Sequence, residues 1–191
     1  MKNSTIRLME VCGTHTMAIA RAGLKRLLPV SIELVSGPGC PVCVTAQRDI
    51  DQAIAISRVK NVIMTTFGDM MRVPGSRASF LDLKRQGYDV RVVYSCLDAL
   101  EIARNNPDKK VMFMGVGFET TSPTVAATII EAKKHGIGNF FVLSNFKLIF
   151  PVLEVLASSK GFKIDGFICP GHVSVITGSR PYERIANRHK I

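Results

Sequence analysis

Short β-rich runs alternate with segments of helical period along this chain, a pattern that few architectures other than a parallel sheet with crossover helices accommodate. The expected strands are Ile6 to Val11, Ile32 to Val35, Val62 to Thr66, Val90 to Tyr94, Val111 to Val116, Phe140 to Ser144 and Gly166 to Cys169. Helix starts lie between them. Ser95 with Asp98 three residues on has the form of a capping box, and Ser122-Pro123 puts a cap residue before a first-turn proline. Segment 44–58 is expected as a helix that packs Ala46, Ile50, Ala53, Ile54 and Ser57 on a sheet.

Nearly all the chemically unusual residues follow directly after an expected strand. They fall in Cys12-Gly-Thr-His15, Gly37-Pro-Gly-Cys-Pro-Val-Cys43, Phe67 to Ser76, Gly117-Phe-Glu-Thr-Thr121 and Cys169-Pro-Gly-His172. Open α/β sheets bind ligands outside the carboxyl ends of their strands, so these loops are expected to line one cleft. Ile32-Glu33 before Pro38-Gly39-Cys40 is echoed by Ile164-Asp165 before Pro170-Gly171-His172. That echo suggests two similar α/β halves, 1–107 and 108–191, divided near Asn106-Pro107-Asp108, with Cys40 and His172 in equivalent places.

Cys40-Pro-Val-Cys43 is the strongest chemical signal. Two thiols at this spacing at a helix start form an exchangeable disulfide, and the alternative is half of a zinc site. Gly37 and Gly39 are expected to let the backbone turn sharply beside them. Cys12 and His15 pair a soft thiolate with an imidazole in one βα turn, which suits a transition metal as well as a structural role. Asp69, Arg72 and Glu119 put charges in Gly-rich loops, where a carboxylate orients a ligand or takes a proton and an arginine clamps an anion; loop capping and salt bridging are the plain alternatives. His172 follows a strand end, where a ligand or acid–base role is favoured over a core one. His135 and His189 are expected on polar helix faces, and Cys96 and Cys169 as small buried hydrophobes. Gly115-Val-Gly117 lacks the third glycine of a dinucleotide-binding turn.

Composition narrows the classes of function. Five cysteines without a visible secretory leader at Met1-Lys-Asn-Ser-Thr5 suit a reducing cytoplasm, where thiols serve catalysis, redox or metals. Apolar runs such as Val111 to Val116 are far shorter than the roughly 20 residues of a membrane span, so no membrane association is expected. The net charge of +10 is spread over singles and pairs such as Lys25-Arg26 and Lys133-Lys134, which reads as solvated helix faces rather than a nucleic-acid surface.

Taken together, Met9-Glu-Val-Cys-Gly-Thr-His15, Gly37-Pro-Gly-Cys-Pro-Val-Cys43, Phe67-Gly-Asp-Met-Met-Arg-Val-Pro-Gly-Ser76, Gly117-Phe-Glu-Thr-Thr-Ser-Pro123 and Cys169-Pro-Gly-His-Val-Ser174 resemble the signature series of the HypD hydrogenase-maturation family, N-terminal portion. The resemblance includes Tyr94-Ser-Cys-Leu-Asp-Ala99 and covers nearly the whole chain. It implies a scaffold that works with the small chaperone HypC. Iron is held there while cyanide arrives from HypE, itself supplied by HypF, and carbon monoxide is added. By the same resemblance Cys12 is the iron ligand shared with HypC and Cys40 and Cys43 the redox pair, while Asp69, Arg72, Glu119, Thr120, Thr121 and His172 line the cleft around the iron. Phe146-Lys147 stands where a His-Lys pair is expected, and Phe150 before Pro151 is a second departure. Family members run well beyond this length and carry a 4Fe-4S cluster on C-terminal cysteines, whose ligands this chain lacks.

The fold expected is therefore α/β, with two Rossmann-like parallel-sheet halves around a central cleft and no C-terminal iron–sulfur region. The function expected is an iron-carrying scaffold for the Fe(CN)2CO unit of NiFe hydrogenases, with a thiol pair that relays electrons and uncertain turnover as an isolated enzyme. The rival readings are a general thiol–disulfide oxidoreductase and a basic nucleic-acid module.

Overall fold

All the expected strands form. In the computed structural model, which describes residues 5–159, 161 and 163–191, they are β1 Ile6–Glu10, β2 Ile32–Ser36, β3 Val62–Thr66, β4 Val90–Val92, β5 Lys110–Gly115, β6 Phe140–Ser144 and β7 Gly166–Ile168. Met1 to Ser4, on which the reading of the leader partly rests, lie outside the described residues. The helices are α1 Gly13–Arg21, α2 Pro41–Val44, α3 Gln47–Ser57, α4 Phe80–Arg85, α5 Cys96–Arg104, α6 Ser122–Lys134, α7 Ile149–Ser158, α8 Gly171–Thr177 and α9 Arg180–His189. Short 3-10 turns cover Leu24–Arg26 and Gly68–Arg72. Among the described residues no helix is long and apolar enough to cross a membrane.

The strands form two sheets, in the orders β2-β1-β7 and β4-β3-β5-β6, with every pairing parallel. This is the α/β architecture of two parallel sheets that strand–helix alternation demands. The chain divides into two compact units: one takes in the chain up to Cys40 together with Leu148–Ile191, the other Pro41–Lys147.

The expected boundary near Pro107 is corrected by the topology. β3 and β5 lie side by side across that point, from Val62 opposite Lys110 to Thr66 opposite Met114. Asn106-Pro107-Asp108 makes a tight turn, with the Lys109 amide donating to the Asn106 carbonyl at 3.0 Å. The Asn139 side-chain amide pins this turn by donating to the carbonyls of Ala103, Asn106 and Lys109 at 3.0, 2.9 and 2.9 Å. The internal echo has a different meaning too: β2 and β7 are the two flanks of β1 within a single sheet.

In unit Pro41–Lys147 the core forms between sheet and helices. Ile50, Ala53 and Ile54 of α3 pack with Met64, Met70, Phe80, Leu83 and Met114, and the ring of Phe67 meets that of Phe113 edge-on with centroids 5.4 Å apart. Helix α3 begins at Gln47 rather than 44, and Ala46 is its exposed N-cap while Ile50, Ala53, Ile54 and Ser57 are buried. The other unit buries Met9, Val11, Ile19, Ile149, Leu153, Val173 and Ile185.

Helix starts follow local hydrogen bonding. Ser95 and Asp98 form the expected capping box, and Ser79 with Asp82 forms a second one on α4 that the sequence reading passed over. Ser122 is not a cap: it is the first residue of α6, and Thr121 precedes it with helical backbone angles and no capping side-chain bond. One of the two amides that a cap side chain could satisfy here is absent, because Pro123 is the second residue of the helix.

Candidate functional site

In the unit that contains β1, three of the expected loops leave one edge. β1 lies between β2 and β7, all parallel, so the carboxyl ends of the three strands deliver Cys12 with His15, Cys40, and His172 on the same side of that sheet. The chain runs from β1 to β2 on one side while β7 flanks the other, and such a reversal of strand order opens a crevice for ligands.

Cys12 is the N-cap of α1, extended at φ −165° and ψ 127°, and is only 4% exposed. Its carbonyl accepts from the His15 amide at 3.0 Å, which closes the first turn of the helix. That bond places His15 on the first turn of the helix, and its Nδ1 is buried without a hydrogen-bond partner. Buried polar atoms are nearly always bonded, so an orphaned ring nitrogen three residues from a thiol suits a soft metal ion.

Two residues of this turn escaped the sequence reading. Glu10 is wholly buried; its Oε2 accepts from the Thr16 hydroxyl at 2.6 Å, while its Oε1 has no partner. Sequence alone did not single it out, since β1 reads Ile-Arg-Leu-Met-Glu and already carries a charge at Arg7. Gly37 reaches the same strand: its amide donates to the Glu10 carbonyl at 3.0 Å, and a Cβ there would lie 2.7 Å from Met9 Cγ and 2.8 Å from that carbonyl. The glycine is needed for close approach rather than for an unusual backbone angle, because Gly37 is not among the residues with positive φ.

His172 is exposed near the start of α8, and half-buried Cys169 precedes it. Burial pushes the Cys169 thiol up to about 11, and buried Cys96 likewise to about 11, so neither is a ready nucleophile. His135 bonds to Glu131 at 2.7 Å on an exposed helix face, as expected of a bland histidine. His189 is instead partly buried and joins α9 to α7 by a 2.6 Å contact with Glu154.

Unit Pro41–Lys147 holds the remaining residues. Cys43 lies on α2, is exposed, and opens into a cavity of about 530 Å³ whose lining includes Thr45, Gln47, Asp69 and Arg72. Thr45 is held there by its hydroxyl, which donates to the Pro41 carbonyl at 2.7 Å. Asp69 and Arg72 come from the turn after β3, and Glu119, Thr120 and Thr121 from the loop after the adjacent β5. The connections from β3 to β4 and from β5 to β6 run to opposite sides, which places these loops at the switch point of the sheet.

The β5 loop is tightly built. A Cβ on Gly117 would lie 2.5 Å from Thr121 Oγ1, so the threonine hydroxyl rests against the glycine. Asn145, at the end of β6, donates its backbone amide to the Gly115 carbonyl at 2.8 Å, and Lys147 donates to that of Gly117 at 2.9 Å. The side-chain Nδ2 of Asn145 is buried with no acceptor, a second orphan that the sequence reading did not identify. The two departures from the family pattern have become packing residues. Phe146 covers Gly115, where a Cβ would lie 2.7 Å from the ring, and Phe150 meets Tyr182 with ring centroids 4.9 Å apart.

The structure therefore brings Cys43, Asp69 and Arg72 to one cavity and sets Cys12 and His15 on one turn. Among the described residues no three His, Cys, Asp or Glu side chains converge on a point where a metal ion is fully caged. Cys12 and His15 offer a soft pair of donors on that turn.

A family model described as the hydrogenase formation hypA family, HypD, matches residues 1–191. The chain is 44% identical over 189 residues to a putative hydrogenase expression/formation protein of Methanocaldococcus jannaschii, covering 99% of this chain and 52% of that one. It is 47% identical to the hydrogenase maturation factors HypD of Rhodobacter capsulatus, over 181 residues, and Escherichia coli, over 182, covering 95% of this chain and 48% and 49% of theirs. The chain thus spans about half the length of the curated relatives it matches.

Proposed function

The chain belongs to the HypD family, and from that premise we propose that it is the part of a hydrogenase maturation factor that carries iron while the Fe(CN)2CO unit of NiFe hydrogenases is assembled. The observation that carries the proposal is the β1–α1 turn, where nearly buried Cys12 caps the helix and the buried His15 Nδ1 lacks a partner. In this reading iron is cargo. The Cys12 thiolate is its anchoring ligand, shared with HypC, and His15 is a second donor from the same turn. HypE delivers cyanide with HypF upstream; by the family resemblance Asp69, Arg72, Glu119, Thr120, Thr121 and His172 are the polar side chains that meet the incoming groups. Cys40 and Cys43 act as the redox pair. Oxidation of their two thiolates to a disulfide passes two electrons to the iron or its ligands, and two external thiolates restore the pair by exchange, themselves leaving as a disulfide.

Infrared spectroscopy of the chain co-expressed with HypC, HypE and HypF and purified without oxygen tests the scaffold through cyanide and carbonyl stretching bands. The expected result is both sets of bands, with iron and HypC lost together from Cys12→Ala. A Cys12→Ala protein that still co-purifies with HypC and the same amount of iron sinks the assignment.

One observation favours a second reading. Cys43 of the Cys-Pro-Val-Cys motif is exposed, as in enzymes that exchange disulfides with other proteins. Insulin reduction without HypC separates the two, because a general oxidoreductase turns over and a dedicated scaffold is nearly inert.

A further inference from the structure

The cavity beside Cys43 is larger than a sulfur atom requires. It is an open surface cleft of about 530 Å³, wide enough to admit a small molecule, and Cys43, Arg72 and Asp69 are all among its lining residues. Asp69 and Arg72 are both exposed, and no ion pair joins either to another described residue, so their charges are not spent on each other. Of the two cysteines in the motif, Cys43 is exposed while Cys40 is half-buried.

Resting on the reading of Cys40 and Cys43 as a redox pair, we propose that this cavity admits a low-molecular-weight amino-acid thiol that reduces the pair, with Arg72 receiving its carboxylate, Asp69 its ammonium group and Cys43 its attack. The thiolate of the small molecule attacks Sγ of Cys43, the Cys40–Cys43 bond breaks, and Cys40 leaves as a thiolate. A second small thiolate attacks its own kind in the mixed disulfide, frees Cys43 as a thiolate and departs as the small-molecule disulfide. Two thiolates thereby give up two electrons to the protein pair, and no other reductant enters. An arginine suits the carboxylate because its planar fork binds both oxygens.

The experiment uses the oxidised 191-residue chain and four probes: cysteine, 3-mercaptopropionate, cysteamine and 2-mercaptoethanol. Rates of reduction are followed by alkylation and mass spectrometry and normalised to the thiolate present. An exposed charge pair changes such a rate by about 1.5- to fivefold. Arg72→Gln is expected to slow cysteine and 3-mercaptopropionate by that factor relative to 2-mercaptoethanol, while Arg72→Lys retains most of the advantage. Asp69→Asn is expected to slow cysteine relative to 3-mercaptopropionate, and the first adduct is expected on Cys43. Raising the salt concentration narrows every difference. Rates that depend only on thiolate concentration in all variants, or a first adduct on Cys40, overturn the cavity's role while leaving the redox pair intact. If mild oxidation yields no Cys40–Cys43 disulfide, the redox reading fails and this inference with it.

Discussion

At the residue scale, burial and solvent access set the chemistry. Cys96 is 2% exposed and its thiol is pushed from an ordinary 9.0 up to about 11, chiefly by loss of hydration. At pH 8 roughly one molecule in a thousand carries that thiolate. Iodoacetamide at pH 8 is therefore expected to label Cys43 first and Cys96 and Cys169 last, as read by peptide mass mapping; early labelling of Cys96 would show its helix to be open. The raised value also has a sign. The folded state holds the Cys96 proton more tightly than the unfolded chain, so this stabilising contribution is complete below pH 9 and lost as the pH climbs toward 11. The buried Glu10 carboxylate tells a similar story of dependence on one neighbour, the Thr16 hydroxyl at 2.6 Å. Thr16→Val leaves both carboxylate oxygens without a partner and is expected to cost about 1–3 kcal/mol in urea unfolding, with Thr16→Ser recovering most of it. Equal stability of the valine variant would show that Glu10 draws its compensation from elsewhere.

At the scale of elements, the strands were legible because β-rich runs such as Val62 to Thr66 are bounded by turn residues and too short for helices. Helix starts were legible where a side chain makes the cap. Ser95 accepts from the Asp98 amide at 3.2 Å, and the Asp98 carboxylate accepts from the amides of Tyr94 and Ser95 at 3.0 and 2.9 Å. Where proline replaces the capping bond, as at α6, the exact start was not legible, because serine is equally at home just inside a helix. Ser95→Ala is expected to cost about 1 kcal/mol by thermal or urea unfolding. The hydroxyl and amides around Asp98 hold its carboxyl below the ordinary 3.8. Its contribution is accordingly present above that value and lost as the pH falls through the lower folded one. The cost of Asp98→Asn is then expected to be constant near neutrality and to shrink below about pH 4; a cost that grows on acidification would contradict the capping geometry.

At the scale of the whole molecule, the parallel sheets and the strand-end loops could be read from local pattern, whereas the division of the chain could not. Periodicity registers neighbours in sequence, but the first sheet is closed by β7 pairing with β1, Leu8 opposite Gly166, across most of the chain. The same limit applies to the site: motifs announced Cys12, Cys43, Asp69 and Arg72, while Glu10 and Asn145 became visible only as buried atoms without partners. The division leads to one more expectation. Unit Pro41–Lys147 is a single continuous stretch with all four strands of its sheet, and the three clusters that hold Met64, Phe80 and Met114, Phe113, and Val111 lie within it. The other unit is made from two stretches that meet only when β1 and β7 pair. A fragment of residues 41–147 is therefore expected to fold alone, with a single cooperative urea transition and dispersed amide resonances, because its four-stranded sheet and these clusters come from one continuous stretch of chain. Residues 1–40 expressed alone are expected to stay unfolded, since β1 and β2 make only a two-stranded sheet lacking α7, α8 and α9 as cover. A molten 41–147 fragment, with native helix content but no cooperative transition, would mean that its core depends on the other unit for its packing.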